Sequence, residues 1–117
     1  MDFEQLCKDV MVVDPSIRFS MIVTEGKRRF GGYRYDTVGI LDSDELEKSI
    51  WYAYERMSGR RTQEYKLGKT KYALAEYEKV KRVTFPLDKE TLLLVSIEPD
   101  SKHDNIIHKI LKLIEPQ

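Results

Sequence analysis

The sequence lacks the residues that mark several common classes of protein. It has one cysteine, two histidines and no formal net charge in 117 residues. Cys7 alone cannot form a disulfide within the chain and is typical of a reducing compartment. No stretch approaches the roughly 20 consecutive apolar residues of a membrane-spanning helix, and the N-terminal residues do not resemble a secretory signal. We therefore expect a cytoplasmic protein without a membrane span.

The composition is that of a folded globular protein. Hydrophobic residues make up 41% of the chain and charged residues 34%, which is too apolar for a disordered segment. No repeat and no Pro/Gly-rich linker divides the sequence. The length therefore predicts a single domain over residues 1–117.

The first third of the chain predicts a helix followed by a hairpin. Apolar residues recur at helical spacing over about residues 3–13, after a capping-box pattern at Asp2 and Gln5. Residues 17–24 and 29–35 are rich in β-branched and aromatic side chains or alternate, and the turn sequence between them favours a hairpin.

A second helix is predicted after Asp42, which forms another capping-box pattern with Glu45. Two glycines, Gly59 and Gly68, are alternative C-terminal ends for this helix. Its apolar stripe consists of Leu46, Ile50, Ala53 and Met57.

Three strands and a final helix are predicted in the remaining sequence. The strands cover residues 70–77, 80–87 and 91–97, and Ser101 is the expected cap of the last helix. The continuous apolar run in 91–97 favours a central strand, whereas 70–77 is expected at a sheet edge. The element order α-β-β-α-β-β-β-α predicts an α+β fold, with a five-stranded antiparallel sheet flanked by helices.

The tripeptide Gly68-Lys69-Thr70 resembles the end of a phosphate-binding loop, but its context argues against that function. The motif requires a glycine five residues earlier, where this chain has Gln63. It must also follow a strand and open a helix, because the helix N-terminus supplies amides to the phosphate. Here the order is reversed, so we expect Gly68 to end a helix.

A basic cluster surrounds this tripeptide. Basic residues near a helix C-terminus complement the helix dipole, which gives part of the cluster a structural explanation. An anionic partner surface is the alternative. The neutral chain as a whole disfavours nucleic acid, whose binding modules usually carry a basic excess. The residues of the basic cluster are Arg56, Arg60, Arg61, Lys66, Lys69 and Lys71.

No pattern in the sequence predicts catalysis, a metal or a cofactor. His103 and His108 are five residues apart, which places their rings about 140° apart around a helix. They therefore do not form a chelating pair. Cys7 lies on the apolar stripe of the first helix, where a small buried thiol packs. We expect a non-enzymatic protein.

Aromatic residues outside the apolar stripe of the second helix predict an interface. Trp51 and Tyr52 lie roughly 120° to either side of the stripe, and Tyr54 is adjacent. Packing within the chain would explain them, but Trp and Tyr are also enriched in binding hot spots. The predicted edge strand, with Tyr72 and Leu74, is the second candidate contact.

This element order resembles the roadblock/LC7 domain, a relative of longin and profilin-like folds, over essentially the whole chain. Three segments also look like those of small archaeal proteins: DPSIRFSMIVTEGKRRFGGY, KLGKTKYALAEYEKVK and TLLLVSIEPDSKHDNIIHKIL. The resemblance implies dimers in which the second helices pack together and the edge strands join. It also implies adaptor or regulatory work without catalysis, commonly on small Ras-like GTPases.

A small-ligand sensor of the PAS or GAF kind is the alternative function. It shares the order of two strands, a helical insert and three strands, and residues 36–68 would cover its cavity. A ligand pocket of roughly 300 Å³ or more between the second helix and the sheet would support this alternative.

Overall fold

A computed structural model of the chain describes residues 1–115 and has the predicted order of elements, with one additional short helix. The helices are α1 (Phe3–Met11), α2 (Ser43–Arg61), α3 (Glu64–Leu67) and α4 (His103–Ile114). The strands are β1 (Ile17–Thr24), β2 (Lys27–Tyr33), β3 (Ala73–Glu76), β4 (Lys81–Pro86) and β5 (Thr91–Ile97). None of the helices in this part of the chain is long and apolar enough to cross a membrane. The prediction of one domain over residues 1–117 includes two residues outside the described range and stays a prediction.

The five strands form one antiparallel sheet in the order β2-β1-β5-β4-β3. Every residue of β5 is buried, because helices cover both of its faces. This confirms the central position predicted from its apolar run. β3 lies at the opposite edge from β2, which confirms the predicted edge strand.

Two buried clusters hold the helices on opposite faces of the sheet. Helices α1 and α4 cover one face with apolar side chains that include Val10 and Ile110. Helix α2 covers the other face with the predicted stripe, of which Ile50, Ala53 and Met57 are buried and Leu46 is half-buried. Cys7 is buried in the cluster under α1 and α4, and this burial raises the pKa of its thiol. The predicted burial of this cysteine is confirmed.

Both hairpin strands follow from the sequence, but the turn between them is tighter than predicted. Glu25 and Gly26 both have positive φ, at 53° and 79°, as a two-residue hairpin turn requires. The strand β2 therefore begins at Lys27 instead of at residue 29 and ends at Tyr33 instead of at residue 35.

Some predicted boundaries and caps are wrong. Helix α1 ends at Met11, two residues before the predicted end. Strand β3 is four residues long instead of eight, because residues 70–72 belong to the loop after Gly68 and Tyr77 belongs to the turn before β4. Ser101 does not cap α4; its hydroxyl donates to the Glu98 carbonyl, and the helix begins at His103.

The end of the second helix lies between the two predicted positions. Helix α2 passes through Gly59, which faces open space, and ends at Arg61. Gly68 ends the short helix α3 with φ at 87°, a backbone conformation that glycine adopts without a steric penalty. Both hydrogen bonds of the predicted capping box are present. The Glu45 amide donates to the Asp42 carboxylate at 2.8 Å, and the Asp42 amide donates to the Glu45 carboxylate at 3.0 Å.

Asp88 supports the turn between β4 and β5. Its carboxylate accepts hydrogen bonds from the amides of Glu90, at 2.9 Å, and Thr91, at 2.8 Å. The hydrogen bond from the Glu90 amide, followed by those from Thr91, lowers the pKa of Asp88 below its usual value. The folded state therefore favours the ionised carboxylate, and this stabilisation is lost as the pH falls through the lowered pKa.

We expect Asp88→Ala to lower the free energy of unfolding by about 1 kcal/mol at neutral pH. The difference from the parent protein should shrink as the pH falls from the ordinary carboxyl pKa of about 4 toward the lowered pKa of Asp88 in the folded state. Urea titrations at pH 7 and pH 3 measure both values. Asp36→Ala, at an exposed carboxylate, is the control. A deficit for Asp88→Ala that is equal at the two pH values would contradict this prediction.

Candidate functional site

The aromatic residues predicted at the interface lie along α2. Trp51 is 48% exposed and Tyr52 57% exposed. The inner face of Trp51 covers the hairpin turn, where a Cβ on Gly26 would lie 2.6 Å from its ring. The ring of Tyr54 is 5.6 Å from that of Trp51, and Tyr54 is half-buried against the α2 cluster. Packing within the chain thus accounts for Tyr54 and for one face of Trp51, and leaves Tyr52 open.

Only one of the other two predicted interface residues lies within the edge strand β3. Tyr72 precedes the strand, with its ring 6.3 Å from that of Phe85. Leu74 is half-buried against the cluster under α1 and α4, so it faces away from α2. What β3 offers to a partner is therefore its free backbone edge, which lies beside the part of α2 that carries Arg56 and Arg60.

The basic cluster is divided among three places. Arg61 is tied to the β4–β5 turn, where its guanidinium donates to the carbonyls of Asp88 and Lys89. Arg56 and Arg60 are exposed on α2 and line a small cleft of about 50 Å³ beside β3 and β4. The remaining three basic residues are exposed around α3; they are Lys66, Lys69 and Lys71.

The tripeptide after α3 has no phosphate-binding geometry. Gly68 ends a helix, as predicted, and Thr70 precedes a strand. The Thr70 amide donates to the Glu64 carboxylate at 2.8 Å, and this hydrogen bond lowers the pKa of Glu64. The chain's own carboxylate therefore occupies an amide that a phosphate would need.

The histidines lie apart, as their spacing predicts. His103 borders the core, where its Nδ1 is 2.9 Å from the Nζ of Lys81, a buried lysine that also donates to the Ser101 carbonyl at 2.8 Å. His108 is exposed. Within residues 1–115, no three histidine, cysteine or acidic side chains converge in a way that suits a metal ion.

An open groove lies between α2 and the sheet, and its lining residues were not predicted from the sequence. Its volume is about 730 Å³. The floor includes Tyr33, Phe19, Ser96 and Arg82, and the turn from β3 to β4 forms one wall. These floor residues lie on four different strands, so only the pairing register reveals that they are neighbours.

The fold is that of the roadblock/LC7 domain. A Roadblock/LC7 domain from Streptomyces avermitilis superposes with a TM-score of 0.72 at 14% identity, over 97% of this chain and 92% of that chain. MglB from Myxococcus xanthus has a TM-score of 0.71 at 11% identity, over 97% and 89%. A structure described as MglB with tetrameric arrangement has a TM-score of 0.70 at 7% identity, over 95% and 88%.

At the level of sequence, the chain has no significant match among curated proteins. The model of the family of unknown function DUF6659 does match, over residues 1–116. The chain therefore belongs to the DUF6659 family and has a roadblock/LC7-like fold.

Proposed function

We propose that the protein is a non-enzymatic, cytoplasmic interaction module that forms a homodimer through α2 and β3. Two observations support this proposal: the unpaired edge of β3 and the exposed aromatic side chains of α2. An unpaired edge offers backbone donors and acceptors to a second copy, and Trp51 and Tyr52 offer exposed apolar area on α2. The resemblance to roadblock domains implies the same two contact surfaces.

The partner of the dimer is an acidic protein, and small Ras-like GTPases are the class implied by the resemblance. Arg56 and Arg60 on α2, with the three exposed lysines around α3, supply positive charge. Such a surface attracts an acidic partner and accelerates its association. The neutral total charge makes nucleic acid a poor partner.

The oligomeric state tests the first part of this proposal. Size-exclusion chromatography with light scattering, over a range of protein concentrations, gives the mass in solution at low and high salt. We expect a dimer at both salt concentrations, since backbone pairing and aromatic burial do not depend on ion pairs. A monomer at all concentrations would overturn the proposed dimer.

We expect Trp51→Glu to weaken the dimer at least tenfold, because it places a charge in an apolar contact. Light scattering measures the mass, and circular dichroism measures the fold. Val38→Glu changes another exposed apolar residue, outside the proposed interface, and should leave the dimer intact.

Two results would count against an interface at Trp51. A folded Trp51→Glu variant that dimerises like the parent protein would remove this residue from the contact. An unfolded variant would show that the contact of Trp51 with the hairpin turn is essential to the core.

A small-ligand sensor of the PAS or GAF kind is the second candidate function. The groove between α2 and the sheet favours it, since about 730 Å³ exceeds the volume that this alternative requires. The loop residues Ile40 and Leu41 and helix α2 line this groove, within the segment predicted to cover a cavity.

A further inference from the structure

The floor of the groove is a single row of cross-strand neighbours. Tyr33 pairs with Phe19, Phe19 with Ser96, and Ser96 with Arg82, across strands β2, β1, β5 and β4. The rings of Tyr33 and Phe19 are 5.3 Å apart. One half of the row is thus aromatic, and the other half ends in a hydroxyl and a guanidinium.

The wall that α2 forms also carries both aromatic and basic side chains. Ser49, Tyr52 and Arg56 line the groove at spacings of three and four residues, so they share one face of the helix. Charges at the rim balance, because Lys48 and Lys79 are offset by Glu45 and Glu78. Arg18, which also lines the groove, is paired with Glu98, so Arg56 on the wall and Arg82 on the floor carry the uncompensated charge.

These two arginines differ from most other arginines of the chain. Arg18 donates to the Glu98 carboxylate at 2.6 Å and to the Val38 carbonyl at 2.9 Å. Arg28, Arg34 and Arg61 likewise donate to backbone carbonyls. Within residues 1–115, Arg56 and Arg82 have neither a salt bridge nor a side-chain hydrogen bond to protein.

The state of Arg82 is the more unusual, because its side chain is half-buried. A partly desolvated guanidinium without an acceptor is unfavourable, and an oxyanion supplies paired oxygen acceptors in matching geometry. The aromatic half of the floor lies two strands away, at roughly 10 Å between backbones. This distance suits one small molecule with an aromatic body and an acidic group.

We propose that the groove binds a small anionic aromatic molecule. Its ring system lies on Phe19 and Tyr33, and its carboxylate, phosphate or sulfonate contacts Arg82 and Arg56. The groove volume lies within the range of small-molecule sites, about 300–1,000 Å³. This inference rests on the second candidate function, ligand binding, and the groove shares Tyr52 with the proposed dimer interface.

A matched pair of fluorescent probes tests the proposal. Anilinonaphthalene sulfonate carries an aromatic body with an acidic group, and phenylnaphthylamine is nearly the same body without the acid. We expect saturable binding of the sulfonate at one probe per chain, at least tenfold tighter than the neutral probe, because of the arginine contacts.

The Arg82→Gln variant identifies the source of this preference. It should lower the affinity for the sulfonate about tenfold and change that for the neutral probe less than twofold. Arg29→Gln removes an exposed arginine of β2 outside the groove and should leave both affinities unchanged. Light scattering on the same samples reports the dimer separately, since Arg82 is not among the proposed interface residues.

Three outcomes would overturn the proposal. Equal affinities for the two probes would remove the anion contact while leaving a neutral-ligand pocket and the sensor function open. Equal losses in Arg82→Gln and Arg29→Gln would reduce the effect to net charge. The absence of saturable binding of either probe would remove both the anionic ligand and the second candidate function, whatever the mass in solution.

Discussion

Gly31→Ala should lower the free energy of unfolding by about 3 kcal/mol or more, the largest effect of a single methyl group in the hairpin. Gly31 has φ at 89°, a conformation that alanine adopts only with strain. A Cβ at this position would also lie 2.1 Å from the Ser20 carbonyl oxygen and 2.9 Å from the Met21 Cα. Because both atoms belong to the backbone of β1, the two strands would have to separate.

Two other glycines serve as controls that separate the effect of backbone strain from that of steric overlap with β1. Gly68 has positive φ, but a Cβ added there would meet no other atom within 4 Å. Gly68→Ala should therefore lower the free energy of unfolding by only about 1 kcal/mol, from backbone strain alone. Gly59 lies in α2 with open space around it, so Gly59→Ala should stabilise the protein by about 0.5–1 kcal/mol. Urea unfolding measures all three variants. A Gly31→Ala variant as stable as Gly68→Ala would show that the strands absorb the Cβ without separating.

Arg34→Met should lower the free energy of unfolding by about 2–4 kcal/mol. Arg34 follows β2, and its guanidinium joins three carbonyls of the connection between α1 and β1. Its Nε donates to Ile17 at 2.9 Å, and its Nη2 to Met11 at 2.9 Å and to Asp14 at 3.1 Å. Methionine keeps much of the side-chain volume but leaves all three carbonyls without this donor.

A lysine at the same position separates charge from geometry. Arg34→Lys keeps the charge, but one ammonium cannot reproduce the planar arrangement of donors, so it should recover less than half of the loss. Because the acceptors are neutral carbonyls, added salt should change the loss little. Arg18→Gln breaks the ion pair with Glu98 and should show the larger salt dependence. Full recovery by lysine would show that charge alone explains the role of Arg34.

Local patterns in the sequence were sufficient to predict most of the fold. The stripe on α2 and the capping box at Asp42 depend on neighbours three or four residues apart, so they can be read directly from the chain. The apolar run of β5 has the same property, since a strand covered on both faces needs no polar positions. Ser101 failed as a cap because the helix begins at His103, which places Lys102 at the N-cap position.

The candidate site was predictable only in part, because distant segments form it. Exposure of Trp51 and Tyr52 follows from the helix stripe, whereas the row from Tyr33 to Arg82 depends on the register of four strands. Arg61 shows the reverse problem. In sequence it belongs to the basic cluster, but the fold brings it to the carbonyls of the β4–β5 turn.

The central position of β5 also orders events during synthesis on the ribosome. Thr24 of β1 lies beside Thr91 of β5, although 67 positions separate them in the chain. At about 5–20 residues per second, translation of this interval takes several seconds. Throughout that time, the hairpin of β1 and β2 has emerged without the strand that joins it to β4. Among the strand pairings of the sheet, that of β1 with β5 therefore waits longest for its second strand, and the inner edge of β1 is the one that a chaperone would protect.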